Sequence, residues 1–209
     1  MQIKKRQTND LAAKNHRKYL ERKNLFLSFG YDAEKEKSRI LEYAEPFKGK
    51  ILEVGTGKGY FALTLAGKGY RFTTVDISKE EQEIAKLNLQ YFKLDHLVHF
   101  VVENGECLSF KNESFDVIFF LNTLHHLTHP IQVIDELIRV LAPSGKLVLS
   151  DFNDEGFAVM DKIHALEGRV HETGKIRLSG VETYLISKQF SVDKKTASFD
   201  DLLIAVKQP

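Results

Sequence analysis

The segment Ile51–Tyr60, ILEVGTGKGY, constrains this chain more than any other: a short apolar run meets three glycines at alternate positions and then a helix-compatible stretch. Gly55, Gly57 and Gly59 admit backbone dihedrals closed to other residues and let a ligand approach the main chain. A second apolar run ends 21 residues after Gly55 in Asp76, the spacing at which a carboxylate meets the two hydroxyls of a ribose. Strand, glycine turn, helix and spaced acid together point to a nucleoside. A dinucleotide site carries Gly-x-Gly-x-x-Gly, whose third glycine falls here on Tyr60, and the phosphate loop Gly-x-x-x-x-Gly-Lys-Ser/Thr does not fit the spacing around Lys58. What remains is a nucleoside ligand without phosphate. Glu53 adds that a carboxylate at the end of a buried strand needs a cation.

The rest of the chain supplies the frame for that loop. Ile51–Val54, Arg71–Ile77, Val98–Val102, Phe115–Leu121 and Lys146–Ser150 are short, β-branched or aromatic runs bounded by Gly, Asp, Asn or Pro, and read as buried strands. Helical periodicity falls between them, at Tyr60–Lys68, Lys79–Leu94 and Ile131–Leu141. Strand and helix in alternation mean an α/β fold whose parallel sheet is covered on both faces. Two runs, Phe190–Ser198 and Leu202–Lys207, joined by Phe199-Asp200-Asp201, suit an antiparallel hairpin. Before residue 51, helices over about Leu11–Phe29 and Ala33–Glu45 are expected as a cap. One domain covering 1–209 is expected, with an amino-terminal helical cap at 1–48 and a ligand-binding core at 49–151. An insertion or lid, with some helix, follows at 152–180, and a final helix and hairpin at 181–209.

Composition narrows the chemistry. With 209 residues and 43% hydrophobic content the chain supports one well-buried core. Thirty basic and 29 acidic side chains leave a net charge of +1, so neither nucleic acid nor an anionic membrane is an expected partner. The one cysteine, Cys107, excludes an intrachain disulfide, a four-thiolate zinc site and a three-cysteine iron–sulfur cluster. No apolar stretch approaches membrane-spanning length and no signal-like segment follows the charged amino terminus, so a cytoplasmic location is expected.

Taken in order, ILEVGTGKGY, VDIS, ENGECLSF, SFDVIFFLNTLHHL and RVLAPSGKLVLSD, within about residues 38–151, resemble the class I S-adenosylmethionine-dependent methyltransferases, the type 11 methyltransferase domain in particular. The resemblance implies a doubly wound, mostly parallel, seven-stranded Rossmann-like sheet with its last strands reversed, and S-adenosylmethionine as cofactor. It places Glu53, Gly55, Gly57 and Gly59 at the methionine end of the donor, Glu53 facing the ammonium, and Asp76 on the ribose, with Thr56 also at the cofactor. Ile77, Asn104, Gly105, Glu106 and Leu121 complete the set. Asn104-Gly105-Glu106 stands where the family commonly has Asp-Ala-Glu, and the amide oxygen of Asn104 still accepts a hydrogen bond from the adenine amino group. Ser144-Gly145 replaces a frequent Gly-Gly.

Methyl transfer from a sulfonium needs alignment and a dry pocket, and a general base only where the acceptor atom carries a proton. No fixed catalytic residue is therefore assigned. Candidates for the acceptor side are Tyr31, His126, Asp151, His164 and His171, with His125 beside His126 in a Leu-His-His-Leu run. His164, Glu167 and His171 would share one helical face, interrupted at Gly168. Phe29 and Tyr31, around Gly30, would close over the donor's sulfonium. For the histidines, packing under the following helix or a solvated charged face is the favoured reading and a metal site the least favoured; for Phe29 and Tyr31, helix-to-helix packing is an equal one. The expected partner is a small-molecule acceptor. A dinucleotide-dependent oxidoreductase and a non-catalytic S-adenosylmethionine-binding protein are the rival functions, since fold alone excludes neither.

Overall fold

The local chemistry of helix ends sets the element boundaries. In the computed structural model, which describes residues 2–168, 170, 174 and 176–207, the chain begins with α1 (Gln2–Ser28) and α2 (Ala33–Ala44). Asp32 caps α2 by accepting from Lys35 N. There follow β1 (Ile51–Val54), α3 (Tyr60–Gly67), β2 (Phe72–Asp76), α4 (Lys79–Tyr91) and β3 (Val98–Val102). Ser78 caps α4 from Glu81 N, and Glu80 and Glu81 sit in its first turn, where the helix dipole favours acids. Then come β4 (Phe115–Leu121), α5 (Pro130–Val140), β5 (Leu141–Phe152), α6 (Asp154–Leu166), α7 (Leu178–Ser187), β6 (Phe190–Thr196) and β7 (Asp200–Lys207). Among the described residues no helix is long and apolar enough to cross a membrane.

The seven strands form one sheet in the order β3-β2-β1-β4-β5-β7-β6. Pairings from β3 through β5 are parallel, and β7 joins β5 and β6 antiparallel. This is the expected doubly wound α/β sheet with a reversed hairpin. Leaving β1, the chain winds first toward β3 and then, from β4, the other way, so the crevice outside the carboxyl ends of β1 and β4 is where an open α/β sheet binds ligand. On one face Leu52, Ile118 and Leu147 pack with Ile134 and Leu137 of α5 and Val181 and Leu185 of α7. On the other, Ile51, Phe119 and Val148 pack with Ile40 and Leu41 of α2 and Phe61 and Leu65 of α3. A third, smaller cluster joins Phe26 of α1, Tyr31 and Ala33 to Val159, Met160 and Ile163 of α6.

Four readings of the sequence are corrected. β3 is an edge strand, only half buried, with Val102 49% exposed, because it pairs on one side alone. β5 starts earlier than Lys146: Leu141 pairs Phe115, then residues 142–145 bulge out with Ser144 at φ +59 before Lys146 pairs Val117. Asp200 and Asp201 belong to β7, opposite Phe152 and Asp151, and not to the turn, which spans residues 197–199. Finally, α6 ends at Leu166 with Glu167 as its C-cap and Gly168 at φ +68, so His164 and Glu167 begin no longer helical face; His171 lies outside the described residues.

Gly59 serves the fold. It sits at φ +80 as the N-cap of α3, and a Cβ there would stand 2.7 Å from the Ala85 Cβ and 3.0 Å from its Cα. The left-handed backbone and the collision with α4 together make Gly59→Ala cost about 2–4 kcal/mol, read as a lowered urea midpoint. An unchanged midpoint would mean that the loop and α4 separate freely.

Candidate functional site

The glycine loop is shaped by a polar network that ties it to the ends of β1 and β2. Parallel register sets Glu53 beside Thr74, and the Thr74 hydroxyl donates to Glu53 Oε2 at 2.6 Å. Thr56 Oγ1 meets Thr74 Oγ1 at 2.6 Å. The Asp76 carboxylate accepts from Gly57 N at 2.7 Å with one oxygen and from Ser78 N at 2.9 Å with the other, so one acid fixes both loops. Gly55 lies at φ +89 against Thr123, where a Cβ would be 2.2 Å from the hydroxyl oxygen. Gln82 of α4 donates to Val101 O at 2.8 Å and Asn88 to Lys58 O at 2.9 Å, locking the loop to its flanking helix.

Above this network runs a long groove in two connected parts. The first, about 470 Å³, is walled by Glu53, Gly55, Thr56, Gly57, Leu121 and Lys37, among others. The second, about 240 Å³, is walled by Asn104, Gly105, Glu106, Thr128 and Val133, among others. Gly55, Asp76, Ile77, Thr123, His126 and Leu127 line both. Every donor-side residue singled out in the sequence therefore lines the groove except Gly59, which packs against α4. The Asn104 side-chain oxygen accepts from Glu106 N at 3.0 Å and keeps a second lone pair.

A separate cavity of about 230 Å³ lies between α1, α2 and α6, walled by Phe26, Tyr31, Phe152, Met160, His125 and His126, with His164 also on its wall. Tyr31, 3% exposed, packs edge-on against Phe26, Phe152 and Phe199, so it walls this cavity and does not line the groove. Phe29 joins the same packing cluster. Six residues, Lys37, Lys58, Tyr60, Glu81, Asn122 and His126, line both this cavity and the groove. Arg22 of α1, on the cavity wall, makes an ion pair with Glu167. Asp151 does not reach the cavity wall; it accepts from His125 N at 3.1 Å, and its other oxygen meets His125 Nδ1 at 2.5 Å. The buried pair is thus His125 with Asp151, and the second histidine of the Leu-His-His-Leu run faces the groove.

Burial raises the Glu53 carboxyl to about 8, against the smaller lowering effect of the Thr74 hydroxyl. Asp200, fully buried, is also raised by burial; Lys37 and Asn122 oppose the rise. Sequence reading missed Lys37, Asn122 and Asp200. Their signal was a face of α2, Ala33, Glu36, Lys37, Ile40, Leu41 and Ala44, that carries two charges at buried positions. Among the described residues no group of three or more His, Cys, Asp or Glu side chains is placed to hold a metal.

Comparison with known proteins gives this arrangement its relatives. Residues 52–149 match the family model described as a methyltransferase domain. The chain is 32% identical over 120 residues to the tRNA U34 carboxymethyltransferase of Pseudoalteromonas translucida, covering 56% of this chain and 37% of that protein. It is 27% identical over 144 residues to a ubiquinone/menaquinone biosynthesis C-methyltransferase of Geotalea daltonii, covering 68% and 61% respectively. It thus spans less than two thirds of the length of these curated relatives. Its fold matches the crystal structure of a SAM-dependent methyltransferase of Methanosarcina mazei with a TM-score of 0.64 at 24% identity, over 80% of this chain and 96% of that one. The matched segment holds most of the strands and loops that line the groove, and over it the chain is similar to methyltransferase domains.

Proposed function

We propose that this protein transfers the methyl group of S-adenosylmethionine to a small-molecule acceptor held in the cavity under α1 and α6. The observation that carries this reading is the shared wall: the groove over the glycine loop has six lining residues in common with a second, aromatic-lined cavity. A dinucleotide oxidoreductase lacks support from a glycine loop with Tyr60 at its third position. A protein that only bound the nucleoside would have no use for the second cavity.

The groove fits the cofactor. Its floor is open at Gly57, where a Cβ would meet nothing within 4 Å, and it offers a carboxylate at each place where the molecule brings ammonium or hydroxyls. Glu53 holds the ammonium, Asp76 the ribose hydroxyls and Asn104 the adenine amino group. When bound, the cofactor supplies a methyl group already activated on a sulfonium. The chain contributes alignment: Phe26, Tyr31 and Phe152 give the cavity aromatic walls, and α6 adds Met160 and His164 to them. For an acceptor with a proton on its nucleophilic atom, His125, oriented by Asp151, and His126 stand on the cavity wall to take it. The relatives' names point to different acceptors, a quinone precursor and a tRNA uridine. A cavity of about 230 Å³ walled by phenyl and phenol rings favours a small, largely apolar molecule.

Calorimetric titration tests the donor assignment without knowledge of the acceptor. S-adenosylhomocysteine should bind saturably and NAD should not. Asp76→Ala should lose about 1.5–3 kcal/mol of that affinity, since ribose hydroxyls lose a charged acceptor. Equal binding by wild type and Asp76→Ala would place the ribose elsewhere.

Glu53 gives a pH signature. Its carboxyl is largely protonated at pH 7 in the free protein, whereas a bound ammonium favours the ionised form. Binding at pH 7 should therefore release close to one proton, seen as a binding enthalpy that changes with the buffer's ionisation heat, and Glu53→Gln should abolish that dependence. The same shift acts on folding. Because the folded-state value lies above the unfolded one, stability falls as pH rises from about 4.5 to about 8, and Glu53→Gln should flatten that fall. Buffer-independent enthalpy in wild type would remove Glu53 from the ammonium site.

A further inference from the structure

Another space, of about 510 Å³, opens between α1 and α4 beside the glycine loop. Tyr19, Leu25 and Ile84 are among its walls, with Lys18, Glu21 and Glu167 as charged ones. It has three lining residues in common with the aromatic cavity: Arg22 of α1, Lys58 of the glycine loop and Tyr60 at the start of α3. A guanidinium, an ammonium and a phenol thus meet at one seam. All three donate hydrogen bonds, and none is an acid. Arg22 gives an N–H to Glu167, and its guanidinium carbon stands 5.0 Å from the centre of the Phe26 ring. Its other N–H groups have no hydrogen-bond partner among the described residues. The Tyr60 ring lies 5.4 Å from that of Tyr19 and 6.2 Å from that of Phe26, and its hydroxyl makes no hydrogen bond among the described residues. Burial, opposed by the Arg22 charge, pushes that phenol up to about 12, so at neutral pH it keeps its proton and can donate it. Asn88 ties the Lys58 carbonyl to α4, and the Lys58 ammonium stands 3.9 Å from Glu81, beyond hydrogen-bond length.

Resting on the acceptor reading above, we infer that the methyl acceptor is an organic acid whose carboxylate sits at this seam on Arg22, Lys58 and Tyr60 while the rest of it occupies the aromatic cavity. A cluster of donors with no acid of its own is complemented by an anion, and a guanidinium offers a flat carboxylate two parallel N–H bonds. Glu167 already holds a carboxylate oxygen against Arg22. The aromatic cavity, about 230 Å³ and walled by Phe26, Tyr31 and Phe152, suits a single ring or a short apolar chain attached to that carboxylate. Lys58 and Tyr60 also line the groove, so an acid anchored on them lies beside the donor. A neutral molecule of the same shape gains nothing from the two cations, and the seam therefore selects by charge as well as by size.

The test titrates the intact protein, saturated with S-adenosylhomocysteine, with phenylacetate and with its neutral isostere phenylacetamide, followed by ligand-observed NMR. Wild type should prefer the acid by about tenfold or more, the scale of one charged hydrogen bond. Lys58→Met should cut that preference by about threefold or more while leaving the amide's affinity unchanged, and Tyr60→Phe should cut it less. Arg22→Met with Glu167→Gln removes an ion pair whole, which spares the fold an unpaired charge, and should bring acid and amide within about threefold of each other. Arg22→Lys should keep part of the preference. Lys18→Met takes a cation from the α1–α4 space but not from the seam, and should leave the ratio within about twofold of wild type, as an exposed charge screened by salt does. Four results overturn the proposal: equal affinity for the two probes in wild type, no binding of either at millimolar concentration, a preference that survives every seam variant, or a loss in Lys18→Met as large as that in Lys58→Met. Failure of S-adenosylhomocysteine to bind is a separate result: it overturns the donor reading, and the acid-to-amide ratio is then read on the ligand-free protein.

Discussion

The site depends on β1 pairing in parallel register with β2 on one side and β4 on the other. That double pairing reverses the winding of the chain and leaves the carboxyl ends of β1 and β4 without a helix between them. The groove follows from it. The same register aligns Glu53 with Thr74 on one neighbour, so a hydroxyl is available to the buried carboxyl before any ligand arrives. Asp76 then ties the end of β2 to the glycine loop through the amides of Gly57 and Ser78. A small geometric choice in the sheet thus fixes where acids, amides and open space fall.

Around that crevice the fold accepts costs that packing alone would not impose. Glu53, Lys37 and Asp200 are buried charges or potential charges at one edge of the sheet, where apolar side chains of similar size would be more stable. Glu53 answers by holding its proton, as its value near 8 shows, and Asp200 is pushed the same way. Lys37 and Asn122 share one oxygen of Asp200 and leave the other unmet. Such tension belongs at sites that gain their missing partners from a ligand. The aromatic walls of the neighbouring cavity show the opposite economy: Phe26 and Phe152 both pack edge-on against Tyr31, so the residues that wall the cavity are also part of the packing.

Much of this was legible in the sequence, for identifiable reasons. The sheet and its helices announce themselves through periodicity, and the groove through a glycine pattern and an acid at fixed spacing, because both are set by local backbone geometry. What stayed hidden is what long-range packing decides. Asp200 reads as a turn residue until β7 is seen to extend along β5 and draw it inside. Lys37 reads as one more charge in a charged helix until the burial of its face is known. His125 and His126 are indistinguishable in a Leu-His-His-Leu run, and only the place of Asp151 at the end of β5 selects the first as the paired one. Of the His164–His171 run, α6 ends at Leu166 with Glu167 as its C-cap and Gly168 at φ +68, a stop that the glycine had signalled, and His171 lies outside the described residues.

A crystal structure of the protein with S-adenosylhomocysteine tests the central claim most directly. The account predicts adenine beside Asn104, ribose hydroxyls on Asp76, the donor's ammonium on Glu53, and the sulfur facing the aromatic cavity under α6. Density for the ligand outside this groove, or a sulfur turned away from that cavity, would contradict it.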